Sequence, residues 1–368
     1  MKRPFATPSS VLLVATRQIG DVLLTTPLLR SMRRAWPNAR IDVLVYTHKG
    51  GMLEGNPDCD TVIESDEHPD GAGYRQLLKR IFRRYDLAVS TQANDRGHLY
   101  AWLAAYRRVG LVPDLGMQSL WKRAICTSWA VLDNIDTHTV VQNLVLAEHM
   151  GIPLSHEVVP PSNTAAESIL DRLLPFAWRT TPYAVLHPYP MWRYKRWTDE
   201  GWRALLRHLA QRGWRVVLTG GPDAGERAQC AALAKTQAEI AINLAGAASF
   251  GTLARLLRGA TAYIGPDTAT THLAAACGTP TLALYGPSNP VKWGPWPQGH
   301  TTPPSPWVMH AAPWQRVGNV LVLQGMGDCV PCRGEGCDKQ KASDSRCLLE
   351  MPATRVVEAL GHLLGESA

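Results

Sequence analysis

The 368-residue sequence contains no run of about 18 apolar residues, so we expect no transmembrane helix. It also lacks G-x-x-x-x-G-K-[S/T] and a full G-x-G-x-x-G, which argues against ATP hydrolysis and against a dinucleotide-dependent dehydrogenase or epimerase. The apolar run at 11–15 is too short for a secretory signal, and polar residues interrupt it from Arg17 onward. We therefore interpret it as a strand that enters a fold, and we expect a cytoplasmic protein.

The chain does carry an excess of positive charge, with a formal net charge of +7. The basic residues occur in several short clusters. Each cluster alone is typical of a solvated helix face, but together they favour an anionic partner, such as a phosphorylated substrate, lipid headgroups or nucleic acid. The basic residues concentrate in the first third of the chain, at Arg30, Arg33, Arg34, Lys79, Arg80, Arg83, Arg84, Arg107, Arg108, Lys122 and Arg123.

Strand-like and helix-like segments alternate along both halves of the chain. Residues 11–16 predict a buried strand, 21–35 a helix and 41–46 a second strand, and this order with short connections indicates a parallel sheet. A Pro- and polar-rich stretch at 158–164 is a candidate linker, and a second α/β series begins at 183–187. The sequence thus predicts the α/β class, with two Rossmann-like domains that face each other across a cleft.

These patterns divide the chain into three parts. Residues 1–165 form the first Rossmann-like domain, and 166–350 form the second, which ends in a Cys-rich tail. Residues 351–368 contain a final helix, which we expect to pack back on the first domain. In open α/β sheets ligands bind outside the carboxyl ends of the strands, so functional residues are expected where strands end.

The segment 263–286 reads as a strand, a small-residue turn, a helix and a second strand. Asp267 and the hydroxyls of Thr268, Thr270 and Thr271 lie where this helix must begin. Because a helix start presents unpaired N–H groups and a partial positive charge, this turn predicts a phosphate site. His272, one turn into the helix, is either a packing residue or a donor to phosphate.

Two further strand-to-helix turns carry acidic residues. Gly20-Asp21 follows the first strand, where Asp21 is either a helix cap or a general base aimed at a ligand. Gly220-Gly221 follows a later strand and precedes Glu226. Glu226 either contacts a nucleoside or complements the positive end of its helix.

The stretch 190–197 follows a strand and mixes aromatic side chains with Arg193, Lys195 and Arg196. One interpretation is a surface loop over packed tryptophans. The other is a cationic loop that meets the charge of a departing diphosphate, which the density of basic and aromatic residues favours.

Eight cysteines are present, and four of them lie close together near the end of the chain: Cys329, Cys332, Cys337 and Cys347. Structural disulfides are improbable in a reducing cytoplasm, whereas four thiolates at short spacing suit tetrahedral zinc or iron. The spacing is not that of a standard zinc ribbon, so a structural metal and a metal-free tail both stay open.

Several motifs occur in one order along the chain: Arg17-x2-Gly20-Asp21, His187-Pro188, Lys195-Arg196-Trp197, Thr219-Gly220-Gly221-Pro222, Gly265-x-Asp267-Thr268-x3-His272 and the final cysteines. In this order they resemble glycosyltransferase family 9, the ADP-heptose:lipopolysaccharide heptosyltransferases, from about residue 11 to residue 350. One departure is Ala269, where the family usually has glycine after Asp-Thr.

The resemblance implies a GT-B fold and an inverting transfer of heptose that requires no cofactor for catalysis. Asp21 would be the general base, and Lys195 would stabilise the departing ADP. The donor would contact Gly220, Gly221, Glu226, Asp267, Thr268, Ala269, Thr270, Thr271 and His272. The acceptor would contact Arg17, Gly20, Arg33 and Arg34.

The implied acceptor is the inner core of lipopolysaccharide, at the inner face of the inner membrane, where basic helices would attract phosphates and anionic headgroups. The implied enzyme is thus a peripheral membrane protein. One alternative is the same donor with a protein acceptor, such as an autotransporter serine. Another is a basic nucleic-acid-binding protein with a metal-bound cysteine knuckle, which the lack of any RNA-binding or helix-turn-helix signature disfavours.

Overall fold

The computed structural model describes residues 7–114, 116–302 and 304–366, which form two compact α/β units. The first unit runs to Pro161 and also takes in Gly299–Ser305, and the second comprises Ser162–Gln298 and the chain from Pro306 onward. The predicted division after residue 165 therefore lies close to the observed one. The ends of the predicted domains at 1–6 and 367–368 lie outside the described residues.

The first unit contains a six-stranded parallel sheet in the order β3-β2-β1-β4-β5-β6. This is the strand order of a Rossmann fold. Its strands are β1 (Ser10–Val14), β2 (Arg40–Tyr46), β3 (Thr61–Ser65), β4 (Tyr85–Ser90), β5 (Ala105–Val112) and β6 (Ser128–Val131). Its helices are α1 (Ile19–Leu23), α2 (Thr26–Ala35), α3 (Gly71–Ile81), α4 (Asp95–Ala104), α5 (Met117–Ile125) and α6 (Thr139–Met150).

The sheet of the first unit is buried on both faces. Leu12 and Val14 of β1 pack in a cluster with residues of α3 and α4, and the alternate residues Val11 and Leu13 are buried as well. Strands that are covered on both sides need continuous apolar runs, which explains why β1 reads Ser-Val-Leu-Leu-Val.

The helix predicted over 21–35 is in fact two helices, α1 and α2, with a break at Leu24 and Thr25. Pro27 lies in the first turn of α2. Proline has no N–H to donate, and its ring would clash with the carbonyl four residues earlier in a continuous helix. The break therefore follows from Pro27.

The second unit repeats this architecture, with the sheet order β12-β13-β11-β10-β7-β8-β9. Apart from the antiparallel edge strand β12, it is again a parallel sheet of Rossmann order. Its strands are β7 (Tyr183–Leu186), β8 (Arg215–Leu218), β9 (Ala241–Asn243), β10 (Ala262–Pro266), β11 (Thr281–Tyr285), β12 (Gln315–Val317) and β13 (Val320–Gln324). Its helices are α7 (Ala166–Leu173), α8 (Asp199–Gln211), α9 (Ala224–Lys235), α10 (Phe250–Gly259), α11 (Ala269–Ala276), α12 (Pro290–Trp293), α13 (Arg346–Leu349) and α14 (Ala353–Leu364).

The final helix, α14, belongs to the second unit. Its apolar residues Val356, Ala359, Leu360 and Leu363 are buried in the same core cluster as the residues of α8 and β13. The expectation that this helix packs on the first domain is therefore wrong. The reason is its apolar stripe at helical spacing, which completes the core over the second sheet.

Two Rossmann-like units confirm the predicted α/β class. No helix in the described part of the chain is long and apolar enough to cross a membrane.

Candidate functional site

The centre of the site in the second unit is Asp267, which follows the carboxyl end of β10. Thr268 then adopts an extended conformation as the N-cap of α11, which begins at Ala269. In the sheet order, β10 is the neighbour of β7, and the direction of strand succession reverses between these two strands. That reversal is the switch point at which open α/β sheets bind ligands.

Lys195 reaches Asp267 across this switch point. The loop after β7 carries Lys195 in a short 3₁₀ turn, and its Nζ lies 2.6 Å from Asp267 Oδ2. Ser288 Oγ donates to the same oxygen at 2.6 Å, and the hydroxyl of Tyr285 lies 3.3 Å from Oδ1. Asp267 is only 7% exposed, so its charge depends on these partners.

The electrostatics of this cluster are set by burial and by Lys195. Burial raises the pKa of Asp267, but the opposing attraction of Lys195, with hydrogen bonds from Lys195 and Ser288, leaves it lowered overall. Burial lowers the pKa of His272 to about 4. At neutral pH the His272 ring is therefore uncharged, although its Nε2 lies 3.8 Å from Asp267 Oδ1, and Lys195 is the cation that keeps Asp267 ionised.

The hydroxyl-rich turn of α11 divides into structural and outward-facing groups. Thr271 is buried, donates to the carbonyl of Pro266 and lies 2.9 Å from the hydroxyl of Tyr263, so it holds β10 and α11 together. Thr270 is buried too, whereas Thr268 and Ala269 are partly exposed. The exposed residues of this turn, Thr268 and Ala269, therefore lie at the start of α11, where the first N–H groups of a helix have no intrahelical acceptor.

Ala269 does not disturb this turn. It lies within α11 and has no positive φ, so the backbone at this position does not require glycine.

Gly220 and Gly221 follow β8, the next strand beyond β7. Glu226 folds back on them, and its Oε1 accepts from the N–H of Gly221 at 2.8 Å. A Cβ at either glycine would lie 2.9 Å from a carboxylate oxygen of Glu226, so glycine is needed for this approach. Asp223 is the residue that caps α9, accepting from the N–H of Glu226 at 3.0 Å, and thus Glu226 orders the glycine turn rather than the cap.

Sequence reasoning missed three residues of this site as candidates. Ser288 and Tyr285 contact Asp267, and His187 Nδ1 lies 3.1 Å from Thr219 Oγ1, linking the ends of β7 and β8. Burial lowers the pKa of His187 to about 4. The signal was present, since Tyr285 ends β11 and Ser288 follows it, and β11 neighbours β10 in the sheet.

The cysteine-rich segment, residues 327–345, packs against both loops that supply the partners of Asp267. Arg193 makes a two-pronged ion pair with Asp344, at 2.8 and 2.6 Å. Ser345 Oγ donates to the carbonyl of Tyr194 at 2.6 Å, and the N–H of Arg333 donates to the carbonyl of Pro287 at 2.8 Å. The segment therefore supports the Lys195 loop and the Ser288 loop together.

The four cysteines of the tail are all free thiols. Burial, and to a smaller extent the thiols of Cys329, Cys332 and Cys337, raise the pKa of Cys347 to about 11. Among the described residues, however, no group of three or more His, Cys, Asp or Glu side chains is arranged to hold a metal ion. The residue types suit a thiolate metal site, but the geometry described is not that of a closed one.

In the first unit, Asp21 is the third residue of α1 and follows β1. Gln18 occupies the N-cap position, so the interpretation of Asp21 as the cap is wrong. Arg17 Nε lies 3.7 Å from Asp21 Oδ1, and the two side chains are 42% and 13% exposed. Gly20 lies beside Asp21 in the same helical turn, so Arg17, Gly20 and Asp21 are brought together at the end of β1.

Arg33 and Arg34 do not join them. Arg33 donates to the carbonyl of Ala39 at 2.7 Å and to Asp60 at 2.6 Å, at the start of β2, and Arg34 lies near Ser155 and Glu157. Because β1 and β2 are parallel, the start of β2 is at the sheet edge opposite to Asp21. The structure therefore separates these arginines from the rest of the predicted acceptor set.

Comparisons with known proteins show which family this chain resembles. The sequence profile of glycosyltransferase family 9 (heptosyltransferase) matches residues 74–303. Lipopolysaccharide heptosyltransferase 3 of Escherichia coli K12 is 29% identical over 76% of this chain and 83% of its own length. Lipopolysaccharide heptosyltransferase 1 of Escherichia coli O18:K1:H7 is 36% identical over 76% of this chain and 86% of its own length.

A solved structure, that of the Escherichia coli ADP-heptose lipopolysaccharide heptosyltransferase II, shares the fold. It superposes with a TM-score of 0.72 at 21% identity, over 96% of this chain and 98% of that one. The predicted GT-B class is thereby confirmed.

Proposed function

This chain belongs to glycosyltransferase family 9, and on that premise we propose that it transfers heptose from ADP-heptose to the inner core of lipopolysaccharide. The observation that carries the proposal is the Lys195–Asp267 pair at the switch point of the second sheet, beside the start of α11. This arrangement combines a cation and the start of a helix, which suit a diphosphate, with a buried carboxylate, which suits sugar hydroxyls.

The donor would bind with its diphosphate against the start of α11 and Lys195. Asp267, held by Lys195 and Ser288, would accept hydrogen bonds from hydroxyls of the heptose or the ribose. As the bond between the anomeric carbon and the phosphate oxygen breaks, negative charge develops on that oxygen. Lys195 would stabilise this charge in a pocket that is already ordered, so little reorganisation accompanies the reaction.

The acceptor would react at Asp21. In this proposal the acceptor hydroxyl attacks the anomeric carbon, Asp21 takes its proton, and ADP leaves from the opposite face of the sugar, which inverts the anomeric configuration. Arg17, 3.7 Å from Asp21, favours the ionised carboxylate that a base requires.

The acceptor is best tested with a panel. Purified protein would be given ADP-heptose, or another ADP- or UDP-sugar, together with truncated lipopolysaccharide cores, and nucleotide diphosphate release would be followed. We expect release only with ADP-heptose and an inner-core acceptor. Release with an autotransporter passenger domain but not with any core acceptor would instead support the protein acceptor.

We also propose that the enzyme acts at the cytoplasmic face of the inner membrane, as a peripheral protein. The basic residues of the first unit support this, because each Lys or Arg near an anionic bilayer contributes about 1 kcal/mol of attraction.

A structural zinc or iron ion at Cys329, Cys332, Cys337 and Cys347 is a separate proposal. It would draw together thiols that already influence one another, and it would stiffen the segment that supports the Lys195 loop. Elemental analysis of wild type and of a Cys329→Ser/Cys332→Ser variant tests it, with Cys59→Ser as the control. We expect about one metal ion per chain in the wild type and the control, and loss in the double variant; wild type without metal would contradict the proposal.

A further inference from the structure

One face of the first unit, formed by α3, α4 and α5, exposes large apolar side chains. Helix α4 contacts both α3 and α5, so the three helices form one layer. We call the following five side chains the apolar patch, with their exposed fractions: Tyr74 38%, Leu99 43%, Met117 82%, Leu120 62% and Trp121 37%. Soluble proteins rarely expose such residues together without a partner.

The orientation of α5 is fixed so that its apolar side faces outward. Met117, Leu120 and Trp121 are spaced i, i+3 and i+4 and therefore share one side of the helix. Lys122 points the other way: it is buried, and its Nζ lies 2.7 Å from Asp95 and donates to the carbonyl of Ala93 at 2.8 Å. Turning the apolar side inward would break these contacts of the buried Lys122 side chain.

A groove of about 450 Å³ lies within the layer. Its walls are Tyr74, Leu99, Tyr100 and Trp121, and its polar lining consists of Asp95 and Arg96. Apolar walls beside a charged pair match the boundary between acyl chains and headgroups, where aromatic and long cationic side chains are favoured.

The sequence segment that contains α3, α4 and α5 is strongly basic. Residues 71–125 contain ten Lys and Arg and three Asp, a net charge of +7, which equals the formal charge of the whole chain. Helix α3 carries no acid and presents Arg75, Lys79 and Arg80 to solvent. A partner of this face should therefore be anionic as well as apolar.

We propose that this face docks on an anionic lipid bilayer. The apolar patch enters the boundary of the acyl chains, and Arg75, Lys79 and Arg80 contact lipid phosphates. Only the identity of the membrane rests on the proposed function. The docking also has a consequence for it, because α4 starts at the carboxyl end of β4, the neighbour of β1, so a lipid anchor held here lies at the sheet edge that carries Asp21.

The direct test is co-sedimentation with vesicles of phosphatidylglycerol and phosphatidylcholine, compared with phosphatidylcholine alone. The patch variant is Met117→Glu/Leu120→Glu, and the control is Val308→Glu/Met326→Glu, which changes the charge equally at side chains that are 57% and 64% exposed in the second unit. We expect the control to bind vesicles as the wild type does. The patch variant should bind at least tenfold more weakly, because apolar side chains that the bilayer would bury are replaced by charges.

A second variant, Arg75→Gln/Lys79→Gln/Arg80→Gln, tests the electrostatic part. Three charges at about 1 kcal/mol each correspond to roughly a hundredfold loss of affinity for the anionic vesicles, and added salt should reduce wild-type binding in the same way. Equal loss in the patch variant and its control, or wild-type binding by the patch variant, would overturn the proposal.

Vesicle binding needs no donor, so its result is independent of the transferase reaction. With a soluble, delipidated core acceptor, the patch variant should keep wild-type turnover. With a lipid-linked core acceptor embedded in vesicles, the turnover of the patch variant should fall below that of the wild type. Another outcome would be that the wild type and the control are dimers, the patch variant is a monomer, and none of them binds vesicles. The patch would then be a contact between copies of this chain, and the proposal would fail. The proposal would also be overturned if the wild type bound single-stranded RNA with nanomolar affinity but did not bind vesicles, and only the patch variant lost the RNA binding.

Discussion

The two units use the same sheet topology but differ in how they hold their functional carboxylates. In the second unit Asp267 is buried and contacts Lys195, Ser288 and Tyr285. In the first unit the Asp21 side chain is 13% exposed, and the Nε of the more exposed Arg17 lies 3.7 Å from its Oδ1. A charge that must stay ionised in a buried site needs fixed partners, whereas a base that exchanges a proton with an incoming hydroxyl must stay accessible.

This difference suggests a division of labour. In the proposed reaction the second unit would bind the donor, and contacts such as Arg193–Asp344 hold its loops. In the proposed reaction the first unit would supply the base, Asp21. Variants in the two units should therefore differ in what they change. Those at Asp21 in the first unit should lower kcat, whereas those around Asp267 in the second unit should lower stability and donor affinity.

The largest expected effect is that of Asp21→Asn. Losing a general base typically lowers kcat by about 10²–10⁴-fold. Because Asp21 is outside the second unit, ADP affinity and the melting temperature should stay as in wild type, as calorimetry and thermal denaturation would show. Asp136→Asn, at an exposed aspartate of the same unit, is the matched control. Wild-type turnover by Asp21→Asn would remove the base assignment.

Lys195→Met should affect both stability and binding. It leaves the Asp267 carboxylate buried without its cation, which costs about 3–5 kcal/mol of unfolding free energy. It also removes a charge-assisted contact to the diphosphate, for which about 1.5–3 kcal/mol of ADP affinity is expected. Lys235→Met, at an exposed residue of α9, should change neither. Unchanged ADP affinity in Lys195→Met would contradict its role at the donor.

The buried histidine makes stability depend on pH. His272 has a folded-state pKa of about 4, below its ordinary value of 6.5, so the neutral ring stabilises the folded state above pH 6.5. This contribution, about 3 kcal/mol, is lost as the pH falls from 6.5 through 4. Denaturant unfolding across this range should show a smaller loss in His272→Gln than in wild type, whereas the exposed-site variant His310→Gln should follow wild type.

Ser288→Ala should have the smallest effect of the four. It removes one hydrogen bond to Asp267 while Lys195 still balances the charge. We expect about 1 kcal/mol, seen as a roughly fivefold rise in KM for the donor with little change in kcat. A change as large as that of Lys195→Met would mean that Ser288 contacts the donor itself.

The sequence predicted the parallel sheets and the sites at their carboxyl ends well, because both follow from local patterns. Asp267, Thr268 and Lys195 stay predicted donor residues, and the structure brings Lys195 to Asp267 because β7 and β10 are parallel neighbours. Ser288 was missed because it lies just beyond the segment 263–286, in the loop after β11, and only the pairing of β11 with β10 places that loop beside Asp267. Arg33 was misplaced because a basic residue near a motif can face the opposite edge, and only the pairing of β1 with β2 decides this.

The final helix illustrates a second limit of sequence reasoning. The apolar stripe of α14 indicates that one side of this helix is buried. It does not indicate which sheet the helix covers, because that depends on which sheet has an uncovered face.

The most direct test of the account is the product of one reaction: purified enzyme, ADP-heptose and an inner-core acceptor that lacks its next heptose, followed by mass spectrometry and by NMR of the new anomeric centre. The account predicts that the acceptor gains one heptose with the anomeric configuration inverted relative to the donor, together with one ADP. Transfer with retained configuration, or no transfer from ADP-heptose where another sugar nucleotide supports it, would contradict it.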